Sequence, residues 1–212
     1  MIRSFSKNQL ERYPVYLKKL KEMREQGVSN VTSQMVASQL GYSEEQVKKD
    51  FAAVSASSGT PGKGRDLENL IDSLEGFLGY RDSTTAVIIG VGRLGQAILD
   101  YPGFRDMGLD IIAAFDSDEE KIGTEISGRE IFKEEDIARL MPRLNAHIAI
   151  IAVPSGFAQK VADEAIRGGA IGIWNFAPVR LSVPSNVIVE EVNLASSLAV
   201  LSHRIKNILK EE

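Results

Sequence analysis

The apolar run Val87-Ile88-Ile89 passes without a break into Gly90-Val91-Gly92-Arg93-Leu94-Gly95, and a helical pattern follows at once. Three glycines spaced GxGxxG between a strand and a helix leave few folds open. The first permits a tight turn, the second lets a pyrophosphate approach the backbone, and the third lets helix and strand pack closely. Backbone amides at the helix start then suit the phosphates. Twenty-one residues past Gly95, Asp116 closes a second apolar strand, Ile111-Ile112-Ala113-Ala114-Phe115. An acid there bonds the ribose hydroxyls and repels a 2′-phosphate, so the expected cofactor is NAD(H) rather than NADP(H). A Gly-rich turn with a strand-end Asp cap is the competing reading and explains less of the spacing. Arg93 is placed equally well to touch phosphate or to lie solvated.

Around that motif, short apolar runs alternate with amphipathic segments, the rhythm of a parallel sheet with crossover helices. Strands are expected at 86–90, 110–116, 147–153, 170–174 and 187–192. Helices are expected near 93–101, 134–141, 156–168 and, at the end, 194–209. Ligands in such sheets bind at the carboxyl edge. Val153-Pro154-Ser155 and Asn175-Phe176-Ala177-Pro178 fall there as rigid turns that could line a nicotinamide, although ordinary turn chemistry accounts for Ser155 almost as well. Tyr101-Pro102-Gly103-Phe104 holds two aromatics on a Pro-Gly turn, with core burial the default for Phe104.

The first third of the chain reads differently. Leu10, Tyr13, Leu17, Leu20 and Met23 recur at helical spacing, with the firm part of the helix expected from near Pro14 and an end at Gly27. Ser33 is a suitable cap for a second short helix that Gly41 stops, and Ser43-Glu44-Glu45-Gln46 reads as a capping box opening a third. There Val47 and Phe51 or Val54 face inward, and Lys48 and Lys49 face water or phosphate. A short helix, a Gly turn and a short basic helix form the helix-turn-helix pattern, which dimerisation and docking modules also share. Residues 55–64 form a Gly/Ser-rich loop in the place of a wing, and Asp66 caps an amphipathic helix through Leu78. The best domain boundary lies at 79–85.

Composition removes several mechanisms. The 212 residues include no cysteine, so disulfides, Cys-ligated zinc, iron–sulfur clusters and thiol switching are excluded, and any redox sensing needs a bound molecule. Net charge is −4, yet residues 1–65 carry 11 basic and 6 acidic side chains against 14 and 23 in the remainder. The basic excess of +5 is thus confined to the N-terminal third. The polar first residues and the lack of any bilayer-length apolar run lead to an expectation of a cytoplasmic protein with no membrane partner. His147 and His203 are the only histidines, and neither is placed as a hydride-transfer acid or base. No catalytic residue and no metal site is expected.

The whole chain resembles the bacterial redox-sensing transcriptional repressor family Rex. The resemblance runs through Arg12-Tyr13-Pro14-Val15-Tyr16-Leu17, Gln46-Val47-Lys48-Lys49-Asp50-Phe51, the GVGRLG loop, Tyr101-Pro102-Gly103-Phe104, Phe115-Asp116 with Lys121-Ile122-Gly123, Ala152-Val153-Pro154, Asn175-Phe176-Ala177-Pro178 and the last helix. It implies an α/β protein with a winged helix-turn-helix domain over 1–80, a Rossmann-type NAD(H)-binding domain over 81–192, and a dimerisation helix over 193–212 exchanged between the subunits of a homodimer. It further implies that NADH releases operator DNA, because the two cofactor forms favour different dimer geometries.

The cofactor set so implied is Gly90, Val91, Gly92, Arg93, Leu94, Gly95, Asp116, Lys121, Tyr101, Val153, Pro154, Asn175, Phe176, Ala177 and Pro178. The implied DNA set is Ser43, Gln46, Lys48, Lys49, Lys63 and Arg65, and the switch or dimer set is Arg12, Tyr16 and Asn193. In three places the chain departs from the family pattern. Arg-Lys-Asp followed by Leu-Ser-Tyr-Phe-Gly becomes Lys48-Lys49-Asp50-Phe51-Ala52-Ala53-Val54-Ser55, and Lys lacks the planar fork with which Arg reads guanine. The wing loses aromatics, and Asn193 stands where the family tends to place an Asp able to pair with the N-terminal Arg. These changes favour an altered operator, or alternatively a Rex-like NAD(H)-binding dimer that acts through protein contacts. A small NAD-dependent oxidoreductase is the third reading and lacks an acid/base.

Overall fold

The computed structural model describes residues 5–55, 63–81 and 84–209. Two compact units divide the chain, Met1–Asp82 and Ser83–Glu212.

In the first unit α1, Lys7–Glu25, starts at the Ser6 cap, whose Oγ accepts from the Gln9 N–H at 3.3 Å. The helix therefore begins about two turns before Pro14 and runs through it, where the sequence placed the firm start near Pro14. A good cap and a buried face outweigh the single backbone bond that Pro removes. Tyr13, Tyr16, Leu17, Leu20 and Met23 are buried, while Leu10 is 42% exposed and lies outside the core. Strand β1, Asn30–Val31, leads to α2, Ser33–Leu40. Thr32 rather than Ser33 caps that helix, accepting from Met35 N–H at 3.2 Å, and Gly41 ends it at φ +71°.

Helix α3, Glu44–Val54, is capped by Ser43, and β2, Arg65–Asp66, pairs antiparallel with β1. This two-residue ribbon carries no readable period. Helix α4, Leu67–Leu78, is capped by Asp66 and buries Leu67, Leu70, Ile71 and Leu74 against α1. Lys63 is exposed at the base of the wing, most of which, residues 56–62, lies outside the described residues.

The second unit is a seven-stranded sheet in the order β5-β6-β4-β3-β7-β8-β9. Its strands are β3 Thr84–Ile89, β4 Leu109–Asp116, β5 Glu125–Ile126, β6 Arg129–Lys133, β7 Ile148–Ile151, β8 Gly172–Asn175 and β9 Ile188–Glu191. All neighbours are parallel except β5 and β6. Neither β5 nor β6 was expected. Only Ile131 of β6 is buried, so five residues at the sheet edge give too little alternation to read.

Alternation sorts the two faces. Val87 and Ile89 of β3 and Ala149 and Ile151 of β7 pack beneath α7, Ile137–Leu140, and α8, Ser155–Arg167. Ala86, Ile88 and Ile150 pack beneath α5, Arg93–Leu99. A bulge in β4, where Ala86 faces Ile111 but Val87 faces Ala113, shifts the phase and puts Ile111 and Ala114 on the α5 side. The helix expected over 93–101 is α5, ending at Leu99, and a further short helix that was not expected, α6, Gly103–Asp106, follows it. That expected over 134–141 is a 3-10 turn, Glu134–Asp136, followed by α7. The last helix, α9, is Leu194–Ile208.

Candidate dinucleotide site and nucleic-acid interface

At the carboxyl edge of β3 the chain turns through Gly90, whose φ of +94° lies in the region that only glycine enters freely. A Cβ there would meet the Ala152 carbonyl oxygen at 2.7 Å and the Val153 side chain at 2.8 Å, and one on Gly95 would overlap the Gly90 carbonyl oxygen. These two glycines are demanded by packing. Gly92 is different, because a Cβ there would meet nothing within 4 Å. The space in front of Gly92 is open, and α5 begins behind it with no side-chain cap. Its first-turn amides are thus left to solvent or a ligand. Val91 is buried, and Arg93 and Leu94 are exposed.

Asp116 sits beside this loop. Its Oδ2 accepts from the Val91 N–H at 2.9 Å and its Oδ1 from the Asp118 N–H at 2.9 Å. Lys121 Nζ lies 3.3 Å from Asp116 Oδ2 and 3.2 Å from Asp118 Oδ2. Burial pushes the Asp116 carboxyl up, but the two N–H donors and Lys121 outweigh it and hold the group below its ordinary value of 3.8. The sign of the pH effect follows. Asp116 stabilises the folded unit above the unfolded carboxyl's value, and that contribution is lost as pH falls below it through the folded value. Acid unfolding curves of the wild type and Asp116→Asn should differ near neutrality and converge as pH falls through the folded carboxyl's value, which lies below the ordinary 3.8. A constant gap down to that pH would contradict the bonding.

The neighbouring strand ends complete the edge. Pro154 precedes α8 as its uncapped N-cap and is exposed, and Val153 packs on Gly90. Phe176 N–H donates to the Ile151 carbonyl at 2.9 Å, bringing the 175–178 turn alongside. Asn175 is fully buried, with Nδ2 donating to the Val179 carbonyl at 2.8 Å and Oδ1 accepting from Ala177 N–H at 3.0 Å. Asn175 therefore shapes the turn with its own polar atoms, Ala177 is core, and Pro178 is exposed.

Tyr101 is not brought to this group. It follows α5 at the opposite edge and lines a cavity of about 270 Å³ with Leu109, Asp110 and Arg129, at the start of β4 and β6. Phe104 links it to the sheet through an aromatic row, Tyr101–Phe104–Trp174–Phe176, with centroid spacings of 4.8, 5.5 and 4.6 Å.

In the first unit the polar centre is Asp50, three residues past Val47 on the inward face of α3 and 3% exposed. Arg12 grips both its oxygens, Nε to Oδ2 at 2.8 Å and Nη2 to Oδ1 at 3.1 Å, while Tyr16 donates to Oδ2 at 2.9 Å and Gln9 to Oδ1 at 3.0 Å. Tyr13 donates to the Asp50 carbonyl at 3.3 Å. The bond to Asp50 raises the Arg12 guanidinium further, and burial together with Asp50 pushes the Tyr16 hydroxyl up. Arg12 and Tyr16, expected as switch residues, are thus committed to the third helix of their own unit. Asn193 caps α9, its Oδ1 accepting from Ser196 N–H at 3.0 Å. Asp50 escaped the sequence reading as a hub, although Arg12 and Tyr16 at i, i+4 on an apolar helix face needed some buried acceptor.

The clamp sets what α3 shows to solvent: Glu44, Glu45, Lys48, Lys49 and Ala52. Lys49 is held by Glu45 at 2.7 Å, and both are exposed. Ser43 is consumed as the cap, and the Gln46 amide lies beside Arg12; turned so that its donor and acceptor are both satisfied, its oxygen accepts from Nε at 3.0 Å. Arg65 is half-buried in β2, opposite Val31.

Comparison with known proteins is consistent in both units. A family model described as "CoA binding domain" matches residues 81–179, and one described as "Putative DNA-binding protein N-terminus" matches residues 5–52. The chain is 35% identical over 196 residues to the redox-sensing transcriptional repressor Rex of Bacteroides fragilis, covering 92% of this chain and 89% of the relative. It is 36% identical over 203 residues to that of Desulforamulus reducens, covering 96% and 95%. Among solved structures, the Rex-family repressor RSP in complex with NAD+ and operator DNA superposes with a TM-score of 0.92 at 31% identity, covering 99% of this chain and 97% of that one. RSP in complex with NADH gives 0.86 at 30%, covering 99% of each. With both units and nearly the full length matched at this identity, the chain belongs to the Rex family of redox-sensing transcriptional repressors.

Proposed function

We propose that the protein is an NAD(H)-responsive repressor: it binds operator DNA through the first unit and releases it when NADH occupies the second. The observation that carries the reading is the open approach to Gly92, where a Cβ would meet nothing within 4 Å, beside the strand-end acid Asp116, the arrangement that suits a pyrophosphate and its ribose. Gly90–Gly95 would hold the phosphates, Asp116 and Lys121 the adenosine ribose, and Val153, Pro154 and Phe176 the nicotinamide side. A coenzyme A ribose carries a 3′-phosphate, which the Asp116 carboxylate would repel, so the dinucleotide is the better fit to this edge. The nicotinamide supplies a redox-dependent charge, and the protein reads it by binding. Val153, Pro154 and Phe176 bring no acid or base to the nicotinamide, a lining that supports a protein acting in the cytoplasm by binding rather than turnover.

The working parts follow the boundaries 1–80 for DNA, 81–192 for dinucleotide and 193–212 for dimerisation. Leu198, Leu201, Ile205 and Ile208 form an exposed apolar stripe on α9, and Ile188 at the end of the sheet is 77% exposed. A partner subunit's copy of α9 would cover such surfaces, giving a homodimer that reads a pseudo-palindromic site.

Selection of duplexes from a randomised pool by the purified protein, with no cofactor, NAD+ or NADH, tests the reading. One palindromic site should be enriched and then lost with NADH. Changing Lys48 and Lys49 together to Ala should weaken that complex at least tenfold and flatten its dependence on salt. An unaltered complex would remove α3 as the reader. NADH binding with no enriched duplex would instead favour the alternative, a dimer acting through protein contacts.

A further inference from the structure

The ribose end of the site contains a cation as well as an acid, and its placement bears on cofactor choice. Lys121 Nζ is 3.3 Å from Asp116 Oδ2, so an ammonium stands at the spot where a 2′-phosphate would need one. On charge alone this lysine should weaken the discrimination that Asp116 provides. Asp118 counters it. Its Oδ2 holds the same ammonium at 3.2 Å, while its Oδ1 accepts from the Glu120 N–H at 3.1 Å.

The backbone fixes this arrangement. Lys121 N–H and Ile122 N–H both donate to the Asp118 carbonyl, at 3.0 and 3.2 Å, and the Asp118 N–H is bound to Asp116 Oδ1 at 2.9 Å. Residues 116–122 thus form one hydrogen-bonded turn that places the lysine between two carboxylates. The side chain of Asp116 is 11% exposed, against 36% for Lys121 and 43% for Asp118. The acid facing the loop is the buried one, and the ammonium bridges it to the outer acid.

We propose that Asp118 is a specificity-determining residue: by pinning Lys121 it keeps the ribose end net negative and denies a 2′-phosphate its cationic partner. The inference rests on the dinucleotide reading above and assigns the choice between NADH and NADPH to a pair of acids with a lysine between them, rather than to Asp116 alone. Replacing Asp118 with Asn preserves the acceptor for Glu120 N–H, and therefore the turn, but substitutes an NH2 group for the oxygen that holds Lys121. The ammonium, then held by Asp116 alone, can take a dianionic phosphate as its second partner.

The experiment is a calorimetric titration of the full-length protein with NADH and with NADPH, for the wild type, Asp118→Asn, and Asp118→Asn combined with Lys121→Met. Asp118→Asn should bind NADPH on the order of tenfold more tightly than the wild type does, with NADH affinity within about twofold, and the added Lys121→Met should abolish the gain. An equal gain in the double variant would show that loss of the Asp118 carboxylate acts without Lys121 and would overturn the pinning. No gain in Asp118→Asn would overturn it also. A wild-type protein that bound neither cofactor would overturn the dinucleotide reading and this inference with it.

Discussion

Gly92→Asp is expected to weaken NADH binding by a hundredfold or more, about 3 kcal/mol, while the melting temperature stays within about 2 °C of the wild type. The two effects separate because of where Gly92 stands. Its φ of −69° and ψ of −171° suit any residue, and a side chain there meets no protein atom within 4 Å. Asp is moreover a favoured cap for the helix that follows. The fold should tolerate the change, but a carboxylate would then occupy the gap that the phosphates need. Gly90→Ala should do the reverse, since φ of +94° and the Ala152 carbonyl at 2.7 Å strain the strand end itself. Fluorescence titration with NADH alongside thermal melts reads both. Unchanged NADH affinity in Gly92→Asp would remove the loop from the binding site.

The second large effect is in the first unit. Asp50→Ala leaves the Arg12 guanidinium and the Tyr16 hydroxyl without their acceptor at a site where the carboxylate is 4% and the arginine 17% exposed. Breaking such a pair by removing one partner costs about 3 kcal/mol, at the lower end of the range because Arg12 keeps some contact with water. For a unit of this size that is a fall of about 15 °C in melting temperature. Asp50→Asn keeps one acceptor oxygen and should lose less. The dinucleotide unit has its own core, so NADH affinity should hold while DNA binding falls with the loss of α3's seating. Calorimetry with NADH titration checks this, and a wild-type melt in Asp50→Ala would mean that the clamp contributes nothing.

How far the sequence leads depends on how each feature is encoded. The glycine loop, the strand running into it and Asp116 lie close in sequence and bear a strict spacing, so they are legible without a structure. The strands β3 and β7 are legible too, because both are continuous apolar runs, as strands buried on both faces require. The edge strands β5 and β6 were missed because one buried residue, Ile131, sets no period. Asp50 was quoted as part of a motif, but its meaning depends on Arg12 and Tyr16, separated from it by 38 and 34 positions. Long-range polar pairing leaves almost no local trace. Tyr101 was assigned to the cofactor by family likeness, yet its place at the far end of α5 follows from helix length alone, seven residues of rise away from the loop. The wing at 56–62 lies outside the described residues.

The most direct test of the account is the fraction of a selected operator duplex bound to the protein as the NADH to NAD+ ratio is varied at constant total nicotinamide and near-physiological salt. The account predicts a bound complex when NAD+ dominates and its dissociation as NADH rises, with Gly92→Asp remaining bound at every ratio. A complex whose occupancy is independent of the ratio in the wild type would contradict it.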